Sequence, residues 1–157
     1  MSGYFGLKLV HILSATLLFG TGLGSAFFMW MAHRRGDAAA IAVTARHVVL
    51  ADWLFTAPAV LVQPITGFLL LQRLGIDWRQ SWVIASLLLY GVAGLCWLPV
   101  VAIQLRVRDL AEQAMTDAAP LPARYFGLMR WWFWLGWPAF SAVLAVFALM
   151  VFKPSLW

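Results

Sequence analysis

Apolar and polar residues fall in long separate blocks along this chain. Four predominantly apolar blocks are separated by short segments that carry most of the charged residues. Each block reaches the roughly 20 residues that an α-helix needs to cross a bilayer. The pattern therefore predicts an all-α polytopic membrane protein, a four-transmembrane-helix bundle that forms a single domain over residues 1–157. The predicted spans are about 5–31, 53–71, 82–104 and 131–152.

Two segments next to the spans also have helical composition. The alanine-rich stretch DAAAIAVTARHVVLADW precedes the second span, and Asp37 can cap its start. The stretch RVRDLAEQAM follows the third span and is predicted to extend it as a helix.

Two prolines, Pro58 and Pro64, lie inside the second span and predict a bent helix. A proline leaves a backbone carbonyl without its helical donor, and in a bilayer that carbonyl must find another donor or line a cavity. Three nearby side chains could donate: Thr56, Gln63 and Thr66.

Small residues recur at four-residue spacing in the first span. Gly20 and Gly24 share one helix face, and Gly22 and Ala26 share another. This spacing lets a second helix or a flat cofactor approach the backbone, and helix packing is the commoner use.

Composition supports a membrane protein and argues against nucleic-acid binding. Hydrophobic residues make up 64% of the chain and charged residues only 11%, whereas soluble domains average about 25% charged. The net charge of +5 comes mainly from arginines in the loops, where anionic lipid headgroups are natural partners. One cysteine, Cys96, permits no intramolecular disulfide and is expected to be a small packing residue.

The loop charges also predict topology. The first and third connections are richer in arginine than the second. By the positive-inside rule these two connections face the cytoplasm, which places both termini in the periplasm of a bacterial inner membrane.

One histidine, His11, lies about two turns inside the first span, where an imidazole needs a polar partner or a metal. The predicted topology brings Lys153, Met150 and Tyr90 to the same, outer side as candidate partners. His47 lies roughly 25–30 Å away along the bundle, so a second metal site there is a separate possibility. His33 is expected to be a solvated loop residue.

An acid, Asp52, stands at the inner edge of the second span. It is expected to pair with an arginine of the inner loops and so to fix the bundle, with a proton relay as the alternative reading. The candidate arginines are Arg46, Arg106 and Arg130.

Three segments together resemble a known family. LKLVHILSATLLFGTGLGSAFF, RHVVLADWLFTAPAVLVQPITGFLLL and RWWFWLGWPAFSAVLAVFALMVFKP resemble the haem-containing protoporphyrinogen oxidases of the HemJ type and the four-helix core of CopD-type copper-resistance proteins. The chain is also similar to a family of bacterial predicted integral membrane proteins of unknown function. The HemJ resemblance implies that His11 binds haem b and that Lys153 is needed for activity. The third span lacks the further histidine and basic residues of that family.

These observations lead to three functional hypotheses. The first is a b-type haem protein of electron transfer, an oxidoreductase with a quinone or porphyrin substrate, in which His11 holds the iron. Its sixth position would be Lys153, Met150, or open to a small ligand. The second is a non-catalytic accessory subunit of a larger membrane complex or a homo-oligomer, with a structural His11. The third is a CopD-like transport protein, although the methionines are too scattered to form an evident copper path.

Overall fold

All regular structure in residues 2–157, the part of the chain that the computed structural model describes, is helical. The elements are α1 (Ser2–Arg35), α2 (Ala38–Ala51), a π-helical segment (Asp52–Thr56), α3 (Ala57–Leu74), α4 (Ser81–Thr116) and α5 (Ala123–Phe152). Because α2, the π-helical segment and α3 are continuous, the chain forms four rods, each long and apolar enough to cross a membrane. The predicted all-helical, four-span architecture is confirmed, and the periplasmic position of the termini stays a prediction.

The helix ends follow the local sequence. Asp37 accepts hydrogen bonds from the amides of Ala39 and Ala40, at 3.3 and 3.1 Å, which confirms the predicted cap of α2. Gly75 ends α3 in the left-handed conformation, with φ of 64°, which glycine adopts without steric cost. The predicted extension of the third span is confirmed, since α4 continues through RVRDLAEQAM to Thr116.

The tightly packed core lies at one end of the bundle. It joins the last turns of α1, most of α2, the second half of α4 and the start of α5. Alanines on the facing surfaces of α2 and α4 let these two helices approach closely. The largest fully buried side chains of the molecule include Met29, Ile41, Val107 and Tyr125, all in this cluster.

The other end of the bundle is built from two helix pairs. There α1 packs along α3, and α4 packs along α5, with little contact between the pairs. Large apolar side chains such as Leu61, Leu88 and Val151 are more than half exposed on the outer faces. In a protein of this class such faces meet lipid, and the space between the two pairs is left open to form a cavity.

The second rod departs from α-helical geometry just before its first proline. The amide of Ala57 bonds the carbonyl of Asp52, a spacing of five residues, so one turn is wider than an α-helical turn. Pro58 follows as the second residue of α3. Single π-helical turns of this kind occur frequently at functional sites.

The second proline leaves the carbonyl of Val60 without its helical donor. The hydroxyl of Tyr90 on α4 donates to that carbonyl at 2.7 Å. The expectation that Thr56, Gln63 or Thr66 would supply this donor is wrong, because Thr56 and Thr66 donate within their own rod and Gln63 bonds His11 of α1. The Tyr90–Val60 bond instead ties the two helix pairs together near the middle of the bundle.

Candidate functional site

Two groups of buried polar side chains lie at different heights of the bundle. The first, called here the His11 network, contains His11, Ser14, Gln63 and Thr66. The second, called here the Asp52 cluster, contains Asp52, Thr56, Gln104 and Trp132. Thr66 follows Thr56 by ten residues along the second rod, so the two groups are ~15 Å apart along the helix axis.

In the His11 network both imidazole nitrogens have protein partners. Thr66 Oγ1 donates its proton to the carbonyl of Val62 at 2.7 Å, so it can only accept from His11 Nδ1, at 2.8 Å. The other nitrogen, Nε2, then accepts from the side-chain amide of Gln63 at 3.2 Å. The arrangement describes a neutral histidine with its proton on Nδ1 and no hydrogen-bonding capacity left over.

The remaining members close the network against helix α3. The hydroxyl of Ser14 donates to the side-chain oxygen of Gln63, so both ends of that amide are fixed. A Cβ atom at Gly67 would lie 3.2 Å from His11 Cε1, which is tighter than ordinary van der Waals contact. Glycine at this position therefore lets α3 lie directly against the imidazole ring. Gln63 and Thr66, the partners of His11, lie in the QPITG stretch of α3. From the sequence they were predicted to donate to the carbonyls that the prolines leave unpaired.

This arrangement does not fit an axial haem ligand at His11. Iron at Nε2 would have to displace Gln63, and α3 covers the ring edge beside Gly67. Lys153, Met150 and Tyr90, the predicted partners, are not among the hydrogen-bonding neighbours of His11. Lys153 Nζ lies 5.7 Å from the ring centre of Trp82, a cation–π distance, and Met150 is exposed.

The other two histidines lie at the opposite end. His47 is exposed on α2. His33 is half-buried, and its Nδ1 is 3.0 Å from the hydroxyl of Tyr125. The expectation of a solvated His33 is wrong because α1 continues to Arg35 and carries His33 along the side of α5. Within residues 2–157 no three His, Cys, Asp or Glu side chains are grouped to hold a metal ion.

The Asp52 cluster lies on the wall of a cavity of about 510 Å³ bounded by α1, α3, α4 and α5. Most of the lining is aromatic or aliphatic. Gly22 and Ala26 line it on α1, where a Cβ at Gly22 would lie 3.7 Å from Phe140 Cζ. The predicted small-residue face therefore borders the cavity, whereas a Cβ at Gly20 or Gly24 would contact nothing within 4 Å.

Three polar atoms of the cavity wall have no hydrogen-bond partner within residues 2–157. They are Asp52 Oδ2, Gln104 Oε1 and Trp132 Nε1, and their residues are only 5%, 6% and 6% exposed. The other carboxylate oxygen, Asp52 Oδ1, accepts from the hydroxyl of Thr56 at 2.9 Å. Since buried polar atoms are nearly always paired, three unpaired ones on a single cavity mark a place where another molecule could bind.

The expected arginine partner of Asp52 is not found. Arg46 Nε lies 2.6 Å from Glu112 Oε1 instead, in an exposed pair between α2 and α4. Six residues of an α-helix place two side chains about 120° apart around the axis, so Arg46 and Asp52 point to different neighbours. Arg106 and Arg130, the other two candidates, are exposed and form no ion pair with it either. The prediction of an arginine pair is wrong, and Asp52 faces the cavity.

Comparison with models of protein families gives a match. A family model described as "Predicted integral membrane protein (DUF2269)" matches residues 5–154, so the chain belongs to this family of predicted integral membrane proteins. No curated protein and no solved structure matches the chain. The predicted similarity to a family of integral membrane proteins is confirmed, and the comparisons give no support to the HemJ or CopD resemblance.

Proposed function

We propose that this integral membrane protein binds a lipid-soluble amphiphile in the cavity beside the Asp52 cluster. The observation that carries the proposal is the distribution of polarity in the cavity. Its walls are apolar and aromatic except where Asp52, Gln104 and Trp132 each present an unpaired polar atom. Such a site suits a ligand with an apolar body and one polar head group.

The lining residues support entry from the bilayer. Leu23 and Phe27 of α1 and Trp137 and Leu144 of α5 border the cavity, yet more than half of each side chain is exposed. On a membrane-spanning helix this exposure faces lipid, so the cavity communicates with the hydrocarbon region between α1 and α5. A ligand dissolved in the bilayer would reach the site without crossing water.

The unpaired atoms define the head group. Asp52 Oδ2 and Gln104 Oε1 call for hydrogen-bond donors, and Trp132 Nε1 calls for an acceptor. A hydroxyl group can donate to one and accept from the other, and an amine can donate to several acceptors. Long-chain alcohols, quinols and amines therefore belong to the ligand class.

Photolabelling tests this proposal. A long-chain alcohol with a diazirine near its hydroxyl group would be activated on protein in lipid nanodiscs, and the labelled peptides mapped by mass spectrometry. Saturable labelling near Val100 and Gly136, which line the cavity about one helical turn from Gln104 and Trp132, is the expected result. Labelling that rises without saturation and is confined to lipid-facing positions such as Leu88 and Val151 would contradict the proposal.

The redox function with haem b rests on the resemblance of the LVHIL and VFKP segments and stays a prediction. The geometry around His11 gives it no support, because both ring nitrogens are hydrogen-bonded. An absorption spectrum of protein purified from haem-replete cells tests it separately. A Soret band that His11→Ala abolishes and His47→Ala leaves intact would establish haem ligation by His11, and a colourless protein would remove it.

A further inference from the structure

The carboxylate of the Asp52 cluster has no countercharge. Asp52 is 5% exposed within a membrane-spanning rod, and no basic side chain of residues 2–157 forms an ion pair with it. Its neighbours in the cavity wall are the neutral side chains of Thr56 and Gln104. Removing an ionised group from water is costly unless an opposite charge compensates it, and a cationic ligand would supply that charge and stabilise the ionised form of Asp52.

The aromatic lining favours the same kind of ligand. Indole or phenol rings reach the cavity from three helices, with Trp30 on α1, Tyr90 and Trp97 on α4, and Trp132 and Trp137 on α5. The faces of such rings attract cations, most strongly where water is excluded. A carboxylate together with several aromatic rings is a suitable environment for an organic cation, whereas an alcohol needs neither.

The unpaired acceptors specify the head group further. Asp52 Oδ2 and Gln104 Oε1 both accept and both lack donors. A primary ammonium group has three N–H donors and can serve two acceptors at once, which a hydroxyl group with its single proton cannot.

We propose that the cavity binds a lipophilic primary amine as its ammonium ion, with N–H groups donating to Asp52 Oδ2 and Gln104 Oε1. This inference rests on the proposed binding function and names its ligand class. The apolar part of the amine lies among the aromatic side chains, and its ammonium group neutralises the Asp52 carboxylate. No bond is made or broken.

Three probes with one carbon skeleton test the inference. They are a naphthylhexyl primary amine, the corresponding alcohol and the corresponding trimethylammonium ion, each titrated against the whole protein in nanodiscs of neutral lipid. The wild-type protein should bind the amine about tenfold or more tightly than the alcohol. The trimethylammonium ion should fall between them, because it has the charge without the N–H donors.

Variants at the carboxylate separate charge recognition from folding. Asp52→Asn should bring amine and alcohol to nearly equal affinity, and Asp52→Glu should retain a preference for the amine. Asp117→Asn, in the exposed α4–α5 connection, is the matched control and should bind all three probes as the wild type does. If Asp52→Asn does not fold, Gln104→Leu takes its place and should narrow the difference between amine and alcohol.

The outcomes distinguish the inference from the proposed function. Equal binding of amine and alcohol by the wild-type protein would overturn the amine inference and leave amphiphile binding intact. An amine preference that persists in Asp52→Asn would also overturn it. Binding of none of the three probes would overturn both, and would leave a cavity occupied by water or lipid tails only.

Discussion

The His11 network and the Asp52 cluster solve the same physical problem in opposite ways. Both place polar side chains inside a membrane-spanning bundle, where an unpaired polar atom is costly. In the His11 network each ring nitrogen has a partner on α3. In the Asp52 cluster the structure leaves Asp52 Oδ2, Gln104 Oε1 and Trp132 Nε1 unpaired around one cavity. The first arrangement holds two helices together, and the second is suited to receive a ligand.

The difference shows that a histidine within a membrane span does not by itself indicate a binding site. His11 is the more conspicuous residue in the sequence, but its partners make it a helix-packing element. Asp52 is conspicuous too, and it lies at the start of the π-helical turn and on the cavity wall. The number of unsatisfied hydrogen-bonding atoms therefore separates the two groups better than the residue types do.

Filling the cavity should have the largest effect on binding. A Cβ at Gly94 on α4 would contact nothing within 4 Å and would point into the cavity, so Gly94→Phe adds a ring there without displacing backbone. The affinity for amphiphiles should fall more than tenfold, which is about 1.4 kcal/mol. Gly91→Phe is the matched control, since Gly91 is exposed, has the same free space and lies outside the cavity lining. Equal losses in the two variants would contradict the assignment of the site.

Breaking the His11 network should lower stability rather than binding. His11→Ala removes the acceptor of Gln63 Nε2 and the donor to Thr66. The expected cost is about 1–3 kcal/mol in the free energy of unfolding, measured by denaturant titration in mixed micelles. His47→Ala, at an exposed position, should change it by less than about 0.5 kcal/mol. A His11→Ala variant that is as stable as His47→Ala, yet binds no amphiphile, would contradict this assignment and give His11 a role in binding.

The tie between the two helix pairs should have a smaller effect. Tyr90→Phe removes the donor to the Val60 carbonyl and should lower the free energy of unfolding by about 1 kcal/mol. Because Pro64 is the reason that this carbonyl needs an outside donor, Tyr90→Phe should cost less in a Pro64→Ala background, where a backbone N–H is restored. Purely additive free energies of unfolding in this double-mutant cycle would contradict the explanation. Tyr4→Phe, near the chain start, serves as the control for loss of a phenolic hydroxyl.

The exposed ion pair at the tightly packed end should matter least. Arg46 and Glu112 lie 2.6 Å apart, but their side chains are 53% and 34% exposed. A cycle of Arg46→Ala and Glu112→Ala should give a coupling of about 0.2–1 kcal/mol that shrinks as salt is added. A coupling free energy larger than the loss of unfolding free energy in His11→Ala would contradict this ranking. It would mean that the polar contact most important for stability lies at the tightly packed end.

The sequence predicts the four spans well because their signal is local. Runs of apolar residues and caps such as Asp37 depend only on neighbouring positions. The partners in the site do not follow from local pattern. Arg46 pairs with Glu112 and not with Asp52, and Tyr90 of α4 donates to the Val60 carbonyl of α3. Both facts depend on helix rotation and crossing, which hydropathy does not encode.

Two glutamines give the most direct test of the central claim, because the same substitution can be made in each group. Gln63 is bonded at both ends, to Ser14 and to His11, whereas Gln104 has an unpaired oxygen at the cavity. The free energy of unfolding and the amphiphile affinity would be measured for Gln63→Leu and Gln104→Leu. Gln63→Leu should lose about 1–3 kcal/mol of stability and keep its affinity. Gln104→Leu should lose less stability than Gln63→Leu, because its side-chain oxygen has no protein partner to lose, and it should lose affinity. The reverse pattern, with binding lost at Gln63 and stability lost at Gln104, would contradict the account.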